Sequence, residues 1–363
     1  MPARIAGPRL LLTTDAVGGV WRYSIDLAHG LARRGVGCVL AVLGPAPGPA
    51  QREEARGIEL VNTGLPLDWT AEDPAALRHA STRLATLASL LGASGVHLHA
   101  PALVGNAAWP VPPVVVAHSD VGTWWRALRT GPMPPDLSWR ADMTRTGLAH
   151  AAAVIAPTAA HAADVQAVYG PRAITVVHNG VAQKPMSGPR DRAVLTAGRL
   201  WDDAKGAAVL DRAARGLAAP IRAAGSVQGP SGGCAALPNL QLLGTLDRAG
   251  MAHAYAGATV FASAARYEPF GLAVLEAAQA GMRLVLRDTP GFRELWDGVA
   301  RFVPNESEWP QALRAALDEE GHGGAQTQAG RYTVEAMVAG TLAVHRDLAQ
   351  GTAPRRQPVS GAA

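Results

Sequence analysis

Short, nearly continuous apolar runs recur along the chain, each followed by a turn and a stretch of helical periodicity. No other feature constrains the fold as strongly. The runs in the first half are RLLLTT (9–14), CVLAVLG (38–44), GVHLHA (95–100), VVVAHSD (114–120), AAVIAPT (152–158) and AITVVHNGV (173–181). In the second half they are AVLTAGR (193–199), PIRAAG (220–225), LQLLGTL (240–246), TVFASAA (259–265), RLVLRD (283–288) and ARFV (300–303). A strand with one wet face alternates apolar and polar residues, whereas strands apolar throughout belong to parallel sheets covered by helices on both faces. The intervening segments suit that role. Residues 21–34 place Ile25, Ala28, Leu31 and Ala32 at helical spacing, and Gly35 stops the helix after Arg33 and Arg34 at the negative end of its dipole. Thr158 is placed to cap a helix over 159–169.

A chain of 363 residues exceeds one ordinary core and predicts two domains of roughly 150–180 residues. The polar, Pro- and Gly-bearing stretch AQKPMSGPRDR (182–192) is the expected linker. The division is therefore a first domain over 1–183, a second over 184–330, a last helix over 331–350 and a disordered tail over 351–363. The fold class is α/β: two tandem, doubly wound, Rossmann-like domains facing a cleft. A net charge of +4 without any dense Lys/Arg run suits an anionic ligand or an anionic membrane surface and excludes a nucleic-acid footprint. Two cysteines at no metal-ligand spacing exclude a disulfide scaffold and a zinc site. The N-terminus reads as a strand rather than a signal peptide, and no apolar run nears the roughly 18–20 residues of a membrane span, so a soluble, cytoplasmic protein is expected.

In doubly wound sheets ligands sit at the carboxyl ends of strands. Four stations lie there. Gly18-Gly19 follows the first strand and either offers helix N-terminal amides to an anion or only makes a tight turn; DAVGGVW lacks the G-x-G-x-x-G spacing of a nicotinamide site. AGRLWDDAKG holds Arg199 and Lys205 six residues apart across a strand-loop-helix turn, able to grip a diphosphate from two sides unless Asp202 and Asp203 neutralise them. In RYEPFGLAVLE, Pro269 suits a first helical turn, and Phe270, Gly271 and Leu272 would present free amides at the positive end of a helix. Glu268 and Glu276 would then lie about 12 Å apart along the axis. A glycosidase-type carboxylate pair needs roughly 5–9.5 Å, so the two suit opposite ends of one long ligand better than a joint acid-base task. A helix-start carboxylate and a solvated face is the plain alternative. Last, His118 with Asp120 in VVVAHSD would hydrogen-bond a sugar or shuttle a proton, or is merely a satisfied core histidine.

Taken together, Gly18-Gly19, His118, Asn179-Gly180-Val181, Arg199/Lys205 and Glu268/Glu276 resemble the retaining family 4 glycosyltransferases of the GT-B fold, from about residue 9 to about residue 350. The G-R-…-K-G and E-P-F-G-…-E elements carry most of the resemblance. It implies that Arg199 and Lys205 bind the donor diphosphate and that Glu276 binds the ribose hydroxyls. Glu268 and the amides of Phe270, Gly271 and Leu272 would hold the transferred sugar, with Gly18 and Gly19 approaching the phosphate. His118 would stand near the sugar, and the last helix would cross back to the first domain. The sequence departs from the family pattern by placing Ser119 between His118 and Asp120, which leaves open which of the two touches the sugar. It departs again in TPGFREL (289–295), where Gly291 stands in place of a Gly-Gly pair.

The expected reaction is transfer of a hexose from a nucleoside-diphosphate sugar to an acceptor hydroxyl with retention. No DxD-like element sits at a strand end, so neither a metal nor any other cofactor is expected, and no nucleophile offers itself, which favours same-face attack assisted by the leaving phosphate. Six of nine tryptophans lie in the first domain, three of them between 120 and 140. Trp124, Trp125 and Arg126 are therefore candidates for an acceptor loop able to take a saccharide, a lipid or a small molecule, with Arg129 and Arg140 able to meet a phosphate or headgroup. The other reading is a loop packed down by its tryptophans. Rival functions are a sugar-nucleotide 2-epimerase of the same fold and a non-catalytic sugar-nucleotide-binding partner.

Overall fold

A computed structural model describes residues 8–182, 190–229, 232–319 and 324–351. The expected tail and most of the expected linker lie outside the described residues. The chain divides into two compact units, one of Met1–Gly180 with Val334–Ala363 and one of Val181–Thr333.

In chain order the first unit carries β1 (Arg9–Asp15), α1 (Gly19–Ala32), β2 (Gly37–Leu43), α2 (Pro49–Glu54), β3 (Glu59–Asn62), α3 (Pro74–Leu90), β4 (Gly95–Leu98) and β5 (Pro113–Val116). It continues with α4 (Val121–Leu128), α5 (Pro135–His150), β6 (Ala153–Ala156), α6 (Ala159–Tyr169) and β7 (Thr175–Val176). The seven strands form one parallel sheet in the order β3-β2-β1-β4-β5-β6-β7. Successive side chains of a strand point to opposite faces, and both faces here are apolar. Leu11, Val39, Ala41, Val96 and Leu98 pack into one layer, while Leu10, Leu12, Leu40, Val42 and Val114 pack into the other with Ile25 and Leu31 of α1.

The second unit carries β8 (Asp191–Ala197), α7 (Ala207–Ala214), β9 (Ile221–Ala224), β10 (Gln241–Gly244), α8 (Arg248–Ala256), β11 (Ala258–Ser263) and α9 (Leu272–Gln279). It ends with β12 (Arg283–Arg287), α10 (Pro290–Trp296), β13 (Ala300–Val303), α11 (Trp309–Asp318) and α12 (Ala325–Ala329). Its parallel sheet runs β10-β9-β8-β11-β12-β13. Ala193, Leu195, Phe261 and Leu284 face one layer, and Val194, Val260, Ala262 and Val285 face the other. The chain then forms α13 (Val334–Ala349), whose Val334, Met337, Val338 and Val344 join the α1 layer of the first unit.

Thr158 does cap α6, accepting the His161 amide through its side chain. β3 has no counterpart among the expected strands. Among the described residues no helix is long and apolar enough to cross a membrane, and Cys38 and Cys234 are free.

Candidate active site

Strand order reverses direction between β8 and β11 in the second unit and between β1 and β4 in the first. These are the points at which an open parallel sheet leaves a crevice beyond its strand ends.

In the second unit, Gly198 and Arg199 leave β8 while residues 264–268 leave β11. A single 3-10 turn over Asp203–Lys205 leads to Gly206, whose φ of 67° is left-handed, and α7 begins directly after it. A Cβ on Gly206 would stand 2.2 Å from the Ala264 carbonyl oxygen, so only glycine lets the two loops meet. The Arg266 amide donates to the Ala204 carbonyl at 2.8 Å and fastens the contact. This junction brings Lys205 Nζ to 2.7 Å from Glu268 Oε2, both side chains 21% exposed. Gly198, Lys205, Ser263, Glu268 and Gly271 line one small recess.

The helix beyond this recess starts later than Pro269. α9 begins at Leu272, and Gly271, at φ 90°, occupies its N-cap without a side-chain cap. Pro269 and Phe270 belong to the entering loop, and the Phe270 side chain is buried edge-on against Tyr332. Gly271 turns the chain into α9 close to Glu268; a Cβ there would stand 3.3 Å from Glu268 Cγ. Glu276 lies one turn further on and accepts the Tyr255 hydroxyl at 2.9 Å. Arg199 is 54% exposed and meets Asp202 at 3.0 Å, while the 7% exposed Asp202 also caps the Ala204 amide. An aspartate of the same loop thus faces Arg199, whereas Lys205 is matched by a carboxylate from another strand end.

In the first unit, Gly18 is the N-cap of α1, again without a side-chain cap. The Gly18 amide and that of Val17 donate to Asp15 Oδ1 at 3.2 and 2.8 Å, so the first of the two expected anion-facing glycines already serves an internal carboxylate. Gly19 opens the helix. His118 follows β5, half-buried, with Nε2 2.9 Å from His99 Nδ1 and its ring edge-on to Tyr23. Burial, reinforced by nearby His161, pushes the His118 pKa down to about 3. The imidazole is therefore neutral at physiological pH, which suits hydrogen bonding and not proton shuttling.

Asp120 is engaged within the fold. Its Oδ1 accepts the amides of Gly122 and Thr123 at 2.8 and 3.0 Å and the Tyr169 hydroxyl, and its Oδ2 accepts Thr123 Oγ1 at 2.7 Å. It is the N-cap of α4. The expected acceptor loop is instead two helices, α4 and α5. Trp125 Nε1 donates to the Gly131 carbonyl, Arg129 lies over the Trp124 ring, and Arg126 pairs with Asp164 at 3.0 Å. Arg140 directs both terminal nitrogens at the Ala71 carbonyl, which leaves it unsuited to a headgroup.

Sequence reasoning overlooked His99, His161, Asp15 and Tyr255. His97 and His99 had a readable signal, since an H-x-H pair in a strand puts both rings on one side. Tyr255 had none, because α8 and α9 bring it to Glu276 across 21 positions.

Solved structures share this architecture. A sucrose-phosphate synthase from Thermosynechococcus elongatus superposes with a TM-score of 0.74 at 16% identity, covering 95% of this chain and 100% of that one. The Anabaena protein HepE, solved with UDP and glucose, gives 0.65 at 16% identity over 92% of this chain and 99% of that one. WaaG, a glycosyltransferase of lipopolysaccharide biosynthesis, gives 0.62 at 14% identity over 95% and 98%. No curated protein matches the chain by sequence. The fold is that of the GT-B glycosyltransferases. Residues 17–183 match the Glycosyltransferase Family 4 model and residues 191–319 the Glycosyl transferases group 1 model, so both units carry glycosyltransferase family domains.

Proposed function

We propose that the protein transfers a hexose from a nucleoside-diphosphate sugar to an acceptor hydroxyl, with retention at the anomeric carbon and without a metal ion. The observation that carries this reading is the Lys205–Glu268 pair at the β8/β11 crevice, 2.7 Å apart, with Arg199 on the β8 side and the α9 N-terminus on the other. A diphosphate entering there competes with Glu268 for Lys205. Lys205 turns to the phosphate, and Glu268 is released toward the sugar hydroxyls. Departure of the nucleoside diphosphate builds negative charge that Lys205, Arg199 and the first amides of α9 would then meet, so these groups would bind the transition state more tightly than the ground state. Removing either cation is expected to lower kcat about 10²–10³-fold. Glu276, which accepts the Tyr255 hydroxyl, would hold the ribose. Asp202, capping Ala204 and paired with Arg199, is spent within the protein rather than set out as a metal ligand. HepE, solved with UDP-glucose, supports a donor of this class.

The test is a thermal-shift screen against UDP, GDP, ADP, TDP and their common sugars with EDTA present, followed by product analysis. A ligand at 100 times its Kd stabilises by about 2.7 kcal/mol. One nucleotide should shift the melt, and Arg199→Ala and Glu276→Ala should abolish the shift. No shift with any nucleotide rejects the donor site. Epimerised sugar nucleotide without transfer assigns the site to a 2-epimerase.

A further inference from the structure

Strands β4 and β5 end side by side in the first unit and bring three histidines together, with His345 of α13 behind them. The ring contacts come in pairs. His97 Nδ1 lies 3.2 Å from His345 Nε2, and His99 Nδ1 lies 2.9 Å from His118 Nε2. The His99 ring has little freedom. Its backbone amide donates to buried Thr13 Oγ1 at 2.8 Å, and the ring stands edge-on to both Tyr23 and His97. The buried Nε2 atom of His99 has no hydrogen-bond partner among the described residues.

Two neutral imidazoles in contact share one proton, and either ring can be the donor. If His118 donates from Nε2, His99 must carry its own proton on Nε2, which buries an N–H without an acceptor. If His99 donates from Nδ1, what is buried at Nε2 is only a lone pair. Orphaned buried N–H groups are the rarer and costlier of the two. The second arrangement is therefore selected, and it obliges His118 to keep its proton on Nδ1, the nitrogen that His99 does not touch.

We propose that His99 is a positioning residue that locks His118 as its Nδ1–H tautomer, so that His118 meets the transferred sugar as a hydrogen-bond donor to a hydroxyl oxygen and not as a base. This rests on the proposed glycosyl transfer for the sugar, while the tautomer rests on the histidine pair alone.

The experiment uses the full chain labelled with 15N-histidine near pH 7.5, read by long-range 1H–15N correlation, with His118→Gln to assign the signal. His118 should show a protonated Nδ1 and a bare Nε2. His99→Leu should abolish that fixed pattern and lower turnover of the nucleotide sugar by about tenfold or more, as loss of the correct tautomer does in other enzymes, with affinity for the nucleoside diphosphate unchanged. His99→Asn, whose amide nitrogen can replace Nδ1 as donor, should recover both the pattern and most of the turnover. A His118 proton found on Nε2 in the native protein overturns the proposal, as does a His99→Leu variant with the native pattern and native turnover. Should His99→Leu not fold, the native spectrum and the Asn variant still decide. Should no nucleotide sugar be turned over, transfer fails as a function and the spectrum still rules on the tautomer.

Discussion

Lys205 and Glu268 stand 63 positions apart and meet because Gly206 lets one loop rest on the carbonyl of the other. An alanine at 206 must adopt a left-handed φ, which costs about 1–2 kcal/mol, and must also push the Ala264 carbonyl away. Gly206→Ala is expected to destabilise the protein by about 2–4 kcal/mol in chemical denaturation and to weaken nucleoside-diphosphate binding with it. Gly18 supplies the contrast. Its φ of −155° lies outside the left-handed region, and a Cβ would meet nothing within 4 Å, so Gly18→Ala should stay within about 0.5 kcal/mol of the native protein. Equal losses at the two glycines would refute the loop-junction account. The sequence marks Arg199, Lys205, Glu268 and Glu276 through their places at strand ends. Which charge faces which is not legible there, because that depends on how two loops pack. Asp120 shows the opposite failure. An aspartate directly before a helical run is an ordinary cap signal, and its nearness to His118 invited a reading as a ligand.

The role of Asp120 belongs to the scale of elements, because it ties α4 to α6 through Tyr169. Asp120→Ala removes the cap, at about 1–2 kcal/mol, and leaves the buried Tyr169 hydroxyl without that acceptor, at about 1–3 kcal/mol more. A total loss of about 2–5 kcal/mol in urea unfolding is expected. Turnover per folded molecule should fall less than in His118→Ala; the reverse order would return Asp120 to the sugar. Twelve of the thirteen strands are visible as apolar runs: the central ones because they are buried on both faces, and edge strands such as β7 and β10, though exposed, because their segments are still apolar in sequence. β3 is not. It is a four-residue edge strand, with Glu59 and Asn62 exposed and only half-buried Leu60 and Val61 between them, which is too little apolar surface to register. α4 was obscured by its surroundings, since the prolines at 132, 134 and 135 suggested a loop where they in fact separate two helices. The late start of α9 has a similar cause. Pro269 tolerates a first helical turn, yet left-handed Gly271 is what begins it.

For the molecule as a whole, the alternation of apolar runs and helical segments was enough to indicate two doubly wound sheets, because sheets covered on both faces impose that pattern everywhere. It could not reveal the histidine core of the first unit, which gathers residues from β4, β5, α6 and α13, and that core governs the acid response of the chain. Burial lowers the pKa of His118 to about 3 and of His345 to about 4, and it drives those of His97 and His99 well below their usual value, with neighbouring imidazoles adding to the effect for His97, His99 and His118. In the unfolded chain these groups titrate near 6.5. Between the unfolded and folded values the unfolded chain binds more protons, so stability rises with pH through this window and is lost on acidification. Asp68 acts the other way. Burial, opposed by the Trp69 backbone and aided by the charges of Asp120 and Asp15, raises its pKa to about 6. From about 4 to 6 the folded state is therefore the better proton binder at this carboxylate. One raised carboxylate is outweighed by five depressed histidines, His161 among them. The melting temperature should hold steady from pH 8 to 7 and then fall from about 6.5 toward 4. His345→Gln, which removes one of the five, should make that fall shallower. A melting temperature that is flat or rises between pH 6.5 and 4 would show that the histidine core is not buried in its neutral form.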